Sequence, residues 1–238
     1  MPSTIKIVRR AVGGTVKQLV PANRKRDAMR SREAILTTAV KHFVEKGYDG
    51  ARIDEIVSDT DTSKKLLYHY FLSKENLFVA VLERIYTEFS LQRGETWRNE
   101  KSPIEGLRKL AGETFNALVK MPEIVSLLNT ENLFKAIHIR KLLQIKAIYH
   151  PLLDGIGELL ARGEKAGVFR KGIDPIQFYI SMSALSYHYI SNQHTFSAIL
   201  GFDLLAPRKL KSRRDHVIEM CLRFCIKSSI AARLGIPD

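Results

Sequence analysis

The chain is poor in cysteine and has no long apolar run. Its two cysteines, Cys221 and Cys225, stand four apart in 238 residues. One such pair provides neither a disulfide framework nor a zinc site, so both read as packed thiols in a reducing cytoplasm. No segment approaches the ~18 consecutive apolar residues of a membrane span. The opening MPSTIKIVRRAVGGTVKQLV lacks the uninterrupted apolar core of a signal peptide. A cytoplasmic protein without a membrane partner is therefore expected. Alternating strand patterns are missing too, as are a nucleophile elbow, a glycine-rich phosphate loop and a metal-ligand pair. Their lack argues against an enzyme and against a cofactor or metal.

Acids are scarce relative to bases: 25 Asp and Glu face 38 Lys and Arg, a net charge of +13. That balance suits a polyanionic partner such as nucleic acid, a membrane surface or an acidic ligand. Hydrophobic residues make up 45%, enough for a substantial core. The surplus is uneven. Residues 1–26 hold seven cations and no acid, with Gly13, Gly14 and Pro21 interrupting any helix, as expected of a flexible basic arm. Residues 30–73 hold seven charges of each sign, and residues 74–238 carry +7.

From about Asp27 the apolar residues recur at helical spacing, and an all-α fold is expected. Leu36, Ala39, Val40 and Phe43 line a first helix, stopped by Gly47. Ile53, Ile56 and Val57 mark a short second one. The polar turn SDTDTS precedes a third, Ser63 to about Tyr70. Ser73 caps a fourth, and RGETWRNEK reads as a polar connection. Ser102-Pro103-Ile104-Glu105 is a capping box that starts another helix, broken at Met121-Pro122. A long helical pattern is expected from about Asn132 to Lys165, with a bend near Pro151. Asp174-Pro175 caps the next helix, to about Asn192. A last helix is expected over about Arg213–Ala232.

Three short helices, the second and third joined by a tight turn, point to a helix-turn-helix unit. TSKKLLYHYF carries its chemistry. Lys64 and Lys65 occupy the positive end of the third helix, which disfavours cations in isolation. Entry into a phosphate-lined major groove reverses that preference. Both lysines can reach phosphates or guanine edges there, and Leu66 a thymine methyl. Tyr68 and Tyr70 offer hydroxyls to phosphates, while Leu67 and Phe71 face inward towards Phe43 and Ile56. Thr62, Ser63 and His69 flank these residues and complete the expected DNA-facing set.

Residues 32–82 resemble the DNA-binding domain of the TetR/AcrR family of transcriptional regulators. Ile35-Leu36, Phe43, Gly47-Tyr48, Ile56, Ser63, Leu67-Tyr68, Tyr70-Phe71, Lys74 and Leu77 carry the resemblance, and Leu-Tyr-x-Tyr-Phe-x-x-Lys is its most specific part. GVFRKGIDPIQFYISMSALSYHYISNQHTF is similar to one C-terminal subgroup. The resemblance implies a helix-turn-helix domain over 27–75 and a helical ligand-binding and dimerisation domain over 76–238. It also implies phosphate contacts for Lys74 and Arg52. Two departures stand out: Ala51-Arg52 supplies no side-chain cap for the second helix, and Asp61 replaces a turn glycine.

In the larger domain, polar groups on apolar helices are the ligand candidates: His138, Arg140, Tyr149, His150, Tyr187, His188 and Asn192. The positive surplus there favours an anionic effector. Stripes on the last two long helices are the expected dimer interface: Phe178, Met182, Leu185 and Tyr189, then Val217, Cys221, Phe224 and Ser228. The expected function is a homodimeric regulator of a double-stranded DNA operator, usually a repressor in this family, released by a small-molecule effector. The alternatives are a constitutive DNA binder with no cavity and an enzyme using Tyr187-His188-Tyr189 and His194.

Overall fold

Caps and apolar spacing set the helices of the computed structural model, which describes residues 22–142 and 144–233. Four helices come first: α1 (Ala22–Gly50), α2 (Ile53–Asp59), α3 (Lys64–Phe71) and α4 (Lys74–Gln92). Then follow α5 (Pro103–Lys120), α6 (Pro122–Leu133), α7 (Ile145–Lys165), α8 (Pro175–Ser191), α9 (Gln193–Leu200), α10 (Pro207–Cys225) and α11 (Ser228–Arg233). Residues 1–21 of the expected basic arm lie outside the described residues. Its last residues, 22–26, instead belong to α1, so the helix begins ahead of Asp27. Among the described residues, no helix is long and apolar enough to cross a membrane.

The helix starts follow their side chains. Ser63 and Ser73 each accept a backbone N–H three residues on, at 3.1 Å. Asp174 accepts from Ile176 and Gln177 at 2.8 and 2.9 Å. Pro103, Pro122, Pro175 and Pro207 open their helices, where a missing N–H costs nothing.

Two groups of buried side chains hold the helices together. The first joins Phe43, Ile56, Leu67 and Phe71 to Leu77, Phe78 and Leu82 of α4, and continues into Ile124 and Leu127 of α6. α4 therefore belongs to both halves of the chain. The second group sits among α5, α7, α8 and α10, around Trp97, Phe115, Phe169 and Phe178.

The expected helix over 132–165 is helical only from Ile145: its first two residues end α6, and an irregular segment lies between. Lys135 and Ala136 adopt positive φ, 54° and 61°, which ends α6 and starts an irregular segment with a 3-10 turn at Ile139–Lys141. A buried carboxylate organises that segment: Glu131 meets His138 Nδ1 at 2.6 Å and accepts from the Ile139 N–H at 2.9 Å. Pro151 lies inside α7, and its carbonyl accepts from the Arg98 guanidinium. The last long helix is also displaced. It starts at Pro207 and stops at Cys225, because Ile226 pairs with Phe169 in an isolated antiparallel bridge. That bridge brings Phe169 onto α7 at Gly163, where an added Cβ would lie 1.9 Å from the ring.

Two stability changes are expected. Gly163→Ala should lower unfolding free energy by about 1–3 kcal/mol through overpacking against Phe169, despite alanine's better helix propensity. Glu131→Ala strands a buried imidazole and an N–H, and should cost about 3 kcal/mol or more. Glu131→Gln keeps an acceptor and should cost less; urea melts of the three variants give the order.

Candidate functional site

α2, its following turn and α3 make the reading head. The Thr60 hydroxyl closes α2 on the Ile56 carbonyl at 2.7 Å. The chain then turns at Asp61 with φ 47°, a left-handed conformation that aspartate tolerates. Leu67 and Phe71 are buried against α1 and α2, and the Arg32 guanidinium lies 5.0 Å from the Phe71 ring centroid. Burying that pair of side chains is worth roughly 1.5–3 kcal/mol each and turns the opposite face of α3 outward. Ser63, Lys64, Lys65, Tyr68 and His69 are exposed on that face, joined by Leu72 at its end. Thr62, Leu66 and Tyr70 are half-buried.

The charged residues differ in how free they are. Lys64 Nζ pairs with Asp54 on α2, both side chains being largely exposed. Lys65 has no ion-pair partner among the described residues. Arg52 is exposed in extended conformation before α2 and, as its sequence predicts, caps nothing, while Ala51 beside it is fully buried. Lys74 turns back into the protein. Its Nζ donates to the Asp49 carbonyl at 3.3 Å and lies 4.9 Å from the Tyr48 ring centroid, and burial lowers its pKa below the usual lysine value. Lys74 thus braces α4 against the end of α1, where Gly47 with φ 67° turns Tyr48 onto Phe78.

A cavity of about 340 Å³ opens among α4, α5, α6, α7 and α8. Phe89 and Arg93 at the end of α4 and Thr114 of α5 form its floor, with Tyr149 and Tyr179 as walls and Asn132 at its mouth. A broader cleft of about 610 Å³ between α1 and α4 is open and lined by charges such as Arg84, already paired with Glu33 and Glu88. Of the expected ligand residues, Tyr149 and Tyr187 line the cavity among α4–α8. The others do not. His138 is buried on Glu131, Arg140 and His150 are exposed, and Asn192 spends its amide on the His188 carbonyl at 3.0 Å. Arg93 escaped the sequence reading because it opens a stretch that looks like a polar connection.

Tyr187, His188 and Tyr189 share no site. Tyr187 donates to Asn129 and Tyr189 to the Leu204 carbonyl at 2.8 Å, while exposed His188 faces Asn192. The expected dimer stripe is also corrected. Phe178, Met182, Val217 and Cys221 are buried in their own core, and Leu185 and Tyr189 pack against it. Burial pushes the Cys221 and Cys225 thiols up to about 12. Phe224, 48% exposed, stacks on Phe178, and exposed Met220, Ile176 and Ile180 share the outer faces of α10 and α8.

An outward-facing recognition helix on a helical body defines a DNA-binding transcription regulator. Residues 35–81 match the bacterial regulatory proteins, tetR family, and residues 103–221 match the tetracyclin repressor-like C-terminal domain. The chain belongs to the TetR family of transcriptional regulators. It is 35% identical over 200 residues to the HTH-type transcriptional repressor NicS of Pseudomonas putida, covering 84% of this chain and 94% of that protein. The crystal structure of a putative transcriptional regulator from Saccharomonospora viridis in complex with choline shares the fold, with a TM-score of 0.66 and 20% identity over 84% of this chain and 99% of that one. AibR in complex with isovaleryl coenzyme A and operator DNA gives 0.62 and 20%, over 80% and 97%.

The Lys64–Asp54 pair yields a test. Exposed pairs contribute at most about 1 kcal/mol, so Asp54→Asn should release Lys64 to DNA and tighten binding about two- to fivefold. Fluorescence anisotropy on duplex DNA at two salt concentrations reads the change.

Proposed function

We propose that the chain is a homodimeric transcriptional repressor that leaves its operator when a small molecule fills the cavity among α4–α8. The observation that carries the DNA half is the α3 face: Ser63, Lys64, Lys65 and Tyr68 stand outward while Leu67 and Phe71 anchor the helix from behind. Two such helices, about 34–36 Å apart, read successive major grooves of a near-palindromic site. A second copy packs on the outer faces of α8 and α10, where Ile176, Ile180, Met220 and Phe224 are exposed. Action on DNA implies the cytoplasm.

Coupling follows from shared elements. α4 runs from Lys74, beside the reading head, to Arg93 at the cavity floor, roughly 28 Å at 1.5 Å per residue. α6 carries Asn132 at the mouth and, one residue earlier, Glu131, whose partner His138 packs on Tyr48 of α1 and Phe78 of α4, the helices that support the head. A ligand that binds better with one setting of these helices shifts the spacing of the recognition helices by its differential affinity, typically worth ~1–3 kcal/mol. A largely apolar cavity among α4–α8 favours this reading over a constitutive DNA binder. The choline and isovaleryl coenzyme A complexes of its structural neighbours support a ligand role for the same domain.

Genome-wide footprinting identifies the operator, and a gel shift on it tests the reading. Lys64→Ala with Lys65→Ala should weaken binding about tenfold or more. It should also reduce the slope of log K against log salt by about 3–4 for a dimer losing four phosphate contacts. Wild-type affinity and slope in the double variant would remove α3 from the interface.

A further inference from the structure

Arg93 is a buried cation without a counter-charge. It is 5% exposed, its Nη1 has no hydrogen-bond partner, and no carboxylate pairs with it among the described residues. No acidic side chain lines the cavity whose floor it forms. The guanidinium lies 5.5 Å from the ring centroids of both Phe89 and Tyr149 and hydrogen-bonds the Tyr179 side chain, which offsets part of its desolvation but leaves the Nη1 N–H groups unanswered. Thr114, 3% exposed in the same floor, also has a hydroxyl with no partner. Its neighbours do not supply an anion. Burial raises the pKa of Tyr149 and of Tyr179 above the usual phenol value, with Arg93 only partly opposing this, so both stay neutral. Other partly buried arginines are better answered: Arg162 donates to backbone carbonyls and Arg84 pairs with Glu33 and Glu88, while Arg213 donates Nη2 to the Leu185 carbonyl and leaves its Nε without a partner.

We propose that the cavity takes a small aromatic carboxylate, its carboxylate on Arg93 and Thr114 and its ring between the aromatic walls. A guanidinium fork matches a planar carboxylate in two parallel hydrogen bonds, and a single fixed cation with one hydroxyl suits a monoanion better than a phosphate dianion. About 340 Å³ is at the small end of ligand cavities, which suits one or two fused rings. Phe89, Tyr149 and Tyr179 present flat apolar surface to such a ring. The bound anion would neutralise the one unpaired charge at the end of α4. This identification rests on the effector reading of the cavity but can be tested apart from it.

Calorimetry on the full-length protein uses benzoate, phenylacetate, 2-naphthoate and indole-3-carboxylate, each beside its uncharged amide. At least one acid should bind, with its amide about 10–100-fold weaker, the value of a charge-assisted hydrogen bond in a dry site. Arg93→Gln should lose acid binding by a similar factor, and Thr114→Val by less. Equal binding of an acid and its amide, or no binding of any acid, overturns the carboxylate assignment; this comparison needs no variant and survives any folding defect in Arg93→Gln. An operator gel shift with the bound acid separates the two readings. Binding without operator release sinks the effector role and leaves the carboxylate site standing. Release only by uncharged compounds sinks the carboxylate site and leaves the effector role.

Discussion

Glu131 and His138 meet at 2.6 Å where water barely reaches, and the joint between the two halves of the molecule is built around them. Buried charge or dipole of this kind is costly unless every partner is in place. Here the carboxylate answers both the imidazole and the Ile139 N–H. The price of the arrangement is a break in helical periodicity, with Lys135 and Ala136 in left-handed conformations. What it returns is geometry. The His138 ring lies 4.5 Å from Tyr48 and 4.9 Å from Phe78, so the segment after α6 is fastened through aromatic contacts to the end of α1 and the start of α4, which flank the reading head. Lys141 adds an exposed ion pair to Glu75 at the start of α4. α6 and α4 are thus joined through this segment, and both carry residues that line the cavity.

The head itself is electrostatically restrained. Its acids are concentrated on α2, where Asp54 holds Lys64, Glu55 holds Lys46, and Asp59 meets His42 at 2.8 Å. These pairs are mostly exposed and weak, so a phosphate competes with them readily. They orient α1, α2 and α3 relative to one another without making the head a strong general polyanion binder. Long-range attraction falls to the surplus outside residues 30–73.

The cavity carries the opposite problem. Its floor holds one desolvated guanidinium with no acid to answer it, beside a Thr114 hydroxyl that also lacks a partner, a local cost at that end of the cavity. Packing does not require a charge there, since an apolar side chain would fill the space; the proposed carboxylate would bring the missing counter-charge. Tyr187 and Ser191, both bonded to Asn129, tie α8 to α6 beside the opening.

The sequence by itself determined the helical class, the reading head and most helix starts. These are local matters: caps such as Ser63, Ser73 and Asp174 satisfy backbone donors a few residues away, and the inward placement of Leu67 and Phe71 follows from spacing four on a helix. The left-handed turn at Asp61 and the uncapped start at Arg52 were legible as departures from the family pattern. Tertiary structure decided what depends on distant partners. Lys74 was read as a DNA contact, yet it packs on Tyr48. The stripe Phe178, Met182, Val217 and Cys221 is equally apolar whether it faces a second copy or its own core, and only the position of α5 and α7 turned it inward. His138 belongs to Glu131 because the chain between them reverses, and Arg93 faces a cavity because four other helices enclose it. Periodicity says which face of a helix is apolar; only the assembled fold says what that face meets.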